Sequence, residues 1–423
     1  MKTLEVLQDG LYHAAKENRN RKFHSLHDKI CRYDILQEAW KRVSENKGSP
    51  GIDNQTIEDI RSYGVDIFLK ELQGELENRT YRIPKVKRVY IPKPNGKQRP
   101  LGIPTIRDRV VQQAVKSIIE PIFEADFKDF SYAYRKGRSA IQAAVEIRKH
   151  LYLGYTNVVE IDISGFFDHI DHDKMIFFVM RRIADPYVIK LIREWLRAGI
   201  VYKGNVALPE EGTPQGGVIS PLLANIYLNE MDTLWTKKVP KQEARIIRYA
   251  DDEIILSTAN PGKYMDLAGR MLGLLDLELN TEKSGITDIN KGFDFLGIHY
   301  QRRYSNIKKR DVIITHPSQK SMDKFRDRVK DTTRITKTSS SSMHEIVDEL
   351  NLLIRGWTQY FNNTNPRRQY RTLQMFMDWK VSKFYCIMHK IPRSSENSEY
   401  LSIGRRFGLI RITGQIPLYN AAR

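Results

Sequence analysis

The sequence is poor in cysteine and has no long apolar run. Only Cys31 and Cys386 occur among 423 residues, and no CxxC pair exists. That excludes a zinc site of paired cysteines and argues against a disulfide framework, so a reducing, cytoplasmic setting is expected. No stretch approaches the ~20 apolar residues of a membrane span. Met1 to Lys22 is polar, so neither a signal peptide nor a membrane partner is expected. There is no internal repeat and no long Gly/Ser or Gln/Asn tract, which turns the reading away from disorder. The length suits two or three domains of roughly 150 residues. The 41% hydrophobic content supplies a large core.

Acidic charge is in deficit. There are 69 Lys/Arg against 51 Asp/Glu, a net of +18, which points to a polyanionic partner. The surplus is uneven. From Gln301 onward there are 24 basic and 10 acidic residues, against 45 and 41 before it. The C-terminal part is expected to bind a polyanion. The rest mixes acidic and basic clusters, as carboxylates that hold metal ions would require.

Residues 1–50 are predicted helical, with Ile35, Leu36, Ala39, Trp40 and Val43 at helical spacing up to a stop at 47–51. One or two helices are expected over 54–78. Val86–Ile91 and the turn at Pro92–Gly96 predict a basic hairpin. Asp108–Phe123 predicts an amphipathic helix. Asn157–Ile163 predicts a strand that brings Asp162 to its end. Helix is expected over 173–200 and 221–234, and a short strand over 293–300. Two apolar runs, split by Tyr249-Ala250-Asp251-Asp252-Glu253, predict a hairpin with carboxylates at its tip. The Ser/Thr-rich stretch 332–342 predicts a loop, followed by helices over 343–361 and 366–388.

Three constellations carry chemistry. Asp162, Asp251 and Asp252 offer hard oxygen ligands of the kind Mg²⁺ takes alongside substrate phosphates. Two such ions about 4 Å apart serve in-line phosphoryl transfer. An Asp-Asp pair at a turn is more often only polar, but here both flanks are apolar strands. The loop Gly212-Thr213-Pro214-Gln215-Gly216-Gly217, running into Ser220-Pro221, has more glycine than a helix cap needs. Its glycines permit close backbone approach to a ligand. The hairpin cations Lys93, Lys97 and Arg99 suit a triphosphate, or else a solvated edge.

The order of these features, and the stretches IPKPNGKQRPLGIPTIRDRVVQQA (91–114), FSYAYRKGRSA (130–140), VVEIDISGFFDHIDHDKM (158–175), EGTPQGGVISPLLANIYLNEMD (211–232), RYADD (248–252), LNTEKSGI (279–286) and FLGIHY (295–300), carry a resemblance. The chain resembles the reverse transcriptases and maturases encoded by bacterial group II introns, over about residues 35–385. The resemblance implies an α+β right-hand polymerase with fingers, a mixed-sheet palm and a helical thumb, called domain X. It implies a helical extension and the start of the fingers over 1–80, fingers and palm over 81–300, thumb over 301–390 and a basic tail over 391–423. About 35 residues follow the domain X helices without a cysteine pair, so the endonuclease of longer members is expected to be absent.

Residue roles follow from the same resemblance. Asp162, Asp251 and Asp252, with the Ile163 carbonyl, would hold two Mg²⁺ ions, for which Mn²⁺ could substitute. Lys93, Arg99, Phe167, Gln215 and Lys283 would meet the dNTP, with Phe167 as a steric gate against the 2′-hydroxyl and Phe166 in the core. Phe295, Leu296 and Gly297 would grip the primer. Arg107, Arg135 and Arg138 would touch the template. Arg355, Arg367, Arg368, Arg371 and Lys380 would bind intron RNA through phosphates, while Leu350, Leu353, Ile354, Trp357 and Phe361 pack. Expected partners are intron RNA, an RNA template with a DNA primer, and dNTPs, acting on a monomer or homodimer. Two alternatives stay open: a domesticated relative in repair or phage defence, and an RNA-binding splicing factor without polymerase activity.

Overall fold

A computed structural model describes residues 3–92, 96, 98–202, 205–207, 211–212, 216–391 and 402–415. The chain divides into two compact units, each assembled from separate stretches. The first comprises Met1–Arg138, Val159–Ile255 and Pro261–Gly285; the second comprises Ser139–Val158, Leu256–Asn260 and Ile286–Arg423.

The first unit is built around the helix Ile106–Glu124. An amphipathic helix was expected over Asp108–Phe123, and this one is buried on nearly all sides. Asp108, Gln112, Gln113 and Ser117 are interior along with Val110, Val111, Ala114, Val115, Ile118 and Ile119. Helices Leu4–Glu17 and Tyr33–Glu45 pack on it. Buried polar groups need partners, and Asp108 has three. It accepts from Tyr81 Oη (2.8 Å), Gln112 Nε2 (2.8 Å) and Trp195 Nε1 (2.9 Å). Burial still holds its carboxyl above the ordinary range.

The helix Tyr33–Glu45 buries Ile35, Leu36, Ala39, Trp40 and Val43, the spacing expected of it. Two further helices span Ile57–Tyr63 and Val65–Glu77. The stretch 173–200 is two helices, His172–Met180 and Pro186–Leu196. Asp185 breaks it by accepting from the Tyr187 and Val188 amides, with Pro186 in the first turn. Apolar periodicity on both sides concealed that cap.

The strands in or entering this unit are β1 (Val86–Pro92), β2 (Gln98–Ile103), β3 (Asn157–Asp162), β4 (Ile200–Tyr202), β5 (Asn205–Ala207), β6 (Ala244–Tyr249), β7 (Asp252–Ser257) and β8 (Gly285–Asp288). β1 and β2 form the expected antiparallel hairpin, Pro92 opposite Gln98, with β4 parallel to β1. The second sheet runs β6-β7-β3-β8, and the chain leaves the unit at β8. The helix Ser220–Lys238 is buried along most of its length, including Asn225 and Asp232.

The second unit holds the helix Ala140–Tyr152 and a sheet of order β11-β10-β9. Here β9 is Phe293–Phe295, β10 is Ile298–Ser305 and β11 is Arg310–Pro317. One strand was expected over 293–300; the chain instead turns back, pairing Phe295 with Ile298. Leu296 (φ +50°) and Gly297 (φ +76°) make that turn, the double left-handed geometry of a tight hairpin. The long β10–β11 hairpin had not been expected, because Lys308-Lys309-Arg310 interrupts its apolar alternation. Helices Gln319–Thr332, Met343–Tyr360 and Arg367–Met388 follow. Leu350, Ile354 and Phe361 are buried, and the Trp357 ring lies 4.9 Å from Phe325, 4.6 Å from Phe361 and 5.6 Å from Tyr370. Among the described residues no helix is long and apolar enough to cross a membrane.

Candidate active site

β3 and β7 are neighbours, and each is six residues long. The Asn157 side chain donates to the Ser257 carbonyl at 3.4 Å. The first residue of β3 thus lies beside the last of β7, which makes the pair antiparallel. At the opposite end, Asp162 closes β3 where Asp252 opens β7, next to the β6–β7 tip. Residues 90 apart in the chain are brought to one sheet end by register alone.

The tip itself is Ala250-Asp251. Ala250 has φ +60°, the only positive φ in the turn. That fits a type II′ geometry, whose first central position favours glycine. A Cβ there costs on the order of 1–3 kcal/mol, and such strain persists only where its surroundings enforce it. Arg248 supplies the enforcement. Its guanidinium is fully buried, and Nη1 donates to the Ala250 carbonyl (3.1 Å) and to Asn225 Oδ1 (3.0 Å). Nε donates to both oxygens of the buried Asp232, at 2.9 and 3.1 Å. Behind the turn, Glu253 is buried and neither carboxylate oxygen has a hydrogen-bond partner. Burial pushes its pKa up to about 8; Arg248 pulls it down, and Asp232, Asp251 and Asp252 oppose that pull.

A turn at 280–284 serves Asp162. The Lys283 and Ser284 amides donate to the Asn280 carbonyl. Ser284 Oγ then accepts from the Asp162 amide (3.0 Å), and the Asn280 amide donates to the Asp162 carbonyl (2.8 Å). Lys283 Nζ sits on the Asp162 carboxylate at 3.0 and 3.1 Å. Its side chain is 65% exposed, and exposed ion pairs contribute about 1 kcal/mol or less, so the ammonium can yield to another cation. Ile163 is buried and bridges Leu279. Among the described residues no three His, Cys, Asp or Glu side chains are gathered closely enough to hold a metal ion.

The glycine loop departs from expectation. A Cβ on Gly212 would lie 2.8 Å from the Phe167 carbonyl, and one on Gly216 would lie 2.3 Å from the Gly102 carbonyl in β2. The close approach these glycines permit is to the protein's own backbone. Gly212 is thereby packed against the Phe167 segment and Gly216 against β2. Gln215 and Lys93 lie outside the described residues, as does the side chain of Arg99. Phe166 is buried and Phe167 half-buried, ring against ring at 5.0 Å. In the second unit, Tyr360 Oη donates to the Leu296 carbonyl (2.8 Å) and Ser321 Oγ to that of Gly297 (2.9 Å), so the Phe295-Leu296-Gly297 turn is rigidly held.

One expected template arginine requires correction. Arg135 is interior: it holds Glu124 through Nε and Nη2 and donates to the Lys128 and Ser131 carbonyls. It is unavailable to a template, because every donor group is spent on the fold. Arg107 pairs with Glu75 (2.6 Å), and Arg138 with Asp129 (3.0 Å). Arg355, Arg367, Arg368 and Arg371 are exposed. Lys380 lies half-buried over Trp379, 5.0 Å from its centroid. Sequence reasoning passed over Trp379 and Met375, both exposed at helical spacing from Arg371. It also passed over Asn225, Asp232 and Glu253. Only Glu253 carried a signal, as a carboxylate opening the apolar run Ile254-Ile255-Leu256.

Residues 91–300 match the family described as reverse transcriptase (RNA-dependent DNA polymerase). Residues 322–401 match the group II intron maturase-specific domain. The chain is 34% identical to protein YkfC of Escherichia coli (strain K12), over 69% of this chain and 87% of that one. It is 37% identical to the group II intron-encoded protein LtrA of Lactococcus lactis subsp. cremoris, over 55% of this chain but only 38% of LtrA. Among solved structures, a partial Cas6-RT-Cas1–Cas2 complex matches 59% of this chain and 40% of its own, at 26% identity and a TM-score of 0.37. The chain belongs to the reverse transcriptases of group II introns and joins an RNA-directed DNA polymerase of α+β right-hand fold to a maturase-specific domain.

Proposed function

We propose that this reverse transcriptase extends a DNA primer on RNA with dNTPs, that Asp162, Asp251 and Asp252 are its catalytic carboxylates, and that its second unit binds the host intron RNA to favour splicing. The observation that carries the first part is the β3–β7 register, which sets Asp162 and the tip carboxylates at one sheet end. The donor set suits Mg²⁺, which prefers a few carboxylates plus phosphate oxygens, and Lys283 already places one positive charge on Asp162. Two bound Mg²⁺ ions, or Mn²⁺ in their place, would lower the charge barrier between the primer hydroxyl and the triphosphate.

The chain's own residues do the rest. Asp162 is aligned by Ser284 and Asn280 through its backbone. Phe167, braced by Phe166, would present a ring edge to the sugar and exclude a 2′-hydroxyl. Lys93, Arg99 and Gln215 would orient the nucleotide, and Lys283 would transfer from Asp162 to the triphosphate. Phe295, Leu296 and Gly297 would hold the primer end, with backbone carbonyls already fixed. Arg355, Arg367, Arg368, Arg371 and Lys380 would meet RNA phosphates, with Trp379 as a stacking surface beside them. Location in the cytoplasm fits two free, buried cysteines.

The test is primer extension by the purified chain on primed RNA with Mg²⁺ and dNTPs. Incorporation is expected. RNA binding without incorporation would favour the splicing-factor alternative.

A further inference from the structure

We infer that the buried Arg248–Asp232–Asn225 network is the positioning device of the active-site turn, holding the Ala250 peptide so that Asp251 and Asp252 face their cation. The inference rests on reading those two aspartates as cation-holding groups. Neither charge of the Arg248–Asp232 pair is exposed. A pair this deep is weak evidence for stability, because desolvating two charges offsets their attraction. Its geometry points to a different use.

The guanidinium divides its donors between two jobs. Nε and Nη2 are anchored on Asp232, and Nη1 reaches Asn225 and the Ala250 carbonyl. Asp232 and Asn225 both stand on the buried helix Ser220–Lys238. Asn225 Nδ2 continues to the Ala133 carbonyl at 2.9 Å. The backbone of Arg248 is clamped as well: its amide donates to the Phe130 carbonyl (2.9 Å), and its carbonyl accepts from the Tyr132 amide (3.0 Å). The Ala250 carbonyl belongs to the peptide whose nitrogen is that of Asp251. That peptide is thereby fastened to a core helix and to the segment 130–133. A left-handed alanine needs such enforcement to persist. A lysine would keep the charge beside Asp232 but could not span the fork to the turn.

The test compares Arg248→Lys with Arg182→Lys. Arg182 is a similarly buried arginine, fastened instead to the Ala15 and Asn18 carbonyls and paired with Asp126. Extension kinetics, Mg²⁺ titration and Tm are measured for each. Arg248→Lys should lower kcat at least about tenfold, raise the Mg²⁺ concentration at half-maximal rate several-fold, and leave the dNTP KM and RNA affinity within about twofold. Arg182→Lys should lower Tm and leave the Mg²⁺ requirement unchanged. If Arg248→Lys does not fold, Asn225→Ala, which removes no charge, should shift the Mg²⁺ requirement in the same direction. Wild-type Mg²⁺ dependence in the folded Arg248→Lys, or in Asn225→Ala where the former does not fold, overturns the inference, as does an equal shift in Arg182→Lys. Asp251→Asn tests the underlying reading separately: if it still extends primers, that reading has failed, whatever Arg248 does.

Discussion

Arginine does opposite work in the two units. In the first, Arg135, Arg182 and Arg248 are interior, with donors held by carboxylates and by backbone carbonyls. In the second, Arg355, Arg367, Arg368 and Arg371 stand in solvent on the helices Met343–Tyr360 and Arg367–Met388. Chemistry needs carboxylates fixed to a fraction of an ångström, and buried forks of hydrogen bonds provide that. Polyanion binding needs mobile surface charge, which loses little entropy until the partner arrives. Counting basic residues therefore finds the end of this chain whose charge stands in solvent, but neither the count nor the resemblance shows that Arg135 is interior.

The comparison can be broken or sharpened by mutation. The largest effect belongs to Asp251→Asn. Metal-held charge is worth several kcal/mol and each 1.4 kcal/mol is tenfold, so extension should fall at least about a hundredfold. Intron RNA affinity should be unchanged in a filter-binding assay. Loss of both would mean the two units do not divide the labour. The converse variant replaces Arg355, Arg367, Arg368 and Arg371 with alanine together. RNA affinity should fall, and its salt slope should drop by about 1 for each arginine that meets a phosphate. Single-nucleotide addition to a saturating primer–template should stay near the wild-type rate. An unchanged salt slope would remove these arginines from the interface.

Smaller effects probe the interior. Phe167→Ala should reduce discrimination against ribonucleotides by about ten- to a hundredfold; unchanged selectivity in competition assays would exclude the ring as the gate. Glu253→Gln should show its effect in pH dependence. The folded state holds this carboxyl near 8, whereas the unfolded chain ionises it near 4.5. Wild-type stability contributed by the neutral form is thus present below about 4.5 and lost as pH rises toward 8. The Tm of Glu253→Gln relative to wild type should climb across that window and level off above it. A flat difference would mean Glu253 ionises normally.

The strand ending at Asp162, the Asp-Asp hairpin and the helices over 343–361 and 366–388 were legible because period and turn chemistry are local. The β10–β11 hairpin was not, because its charged tip breaks the alternation. The break at Asp185-Pro186 was hidden by apolar runs on both sides. At the site, the residues in short motifs stood out, whereas their supports did not. Asp232 and Asn225 sit in a helix whose apolar residues face every direction, so nothing in sequence shows that they turn toward Arg248. The glycines of the 212–217 loop were read as room for a ligand, but two of them make room for neighbouring backbone. Such long-range approaches have no local signature.

The most direct measurement is a crystal structure with primer, template and dNTP grown in Mn²⁺, with the ions located by anomalous scattering. Two peaks should lie within about 2.0–2.4 Å of carboxylate oxygens of Asp162 and Asp251, with Lys283 displaced from Asp162. Ions bound elsewhere, with Lys283 still on Asp162, would contradict the account.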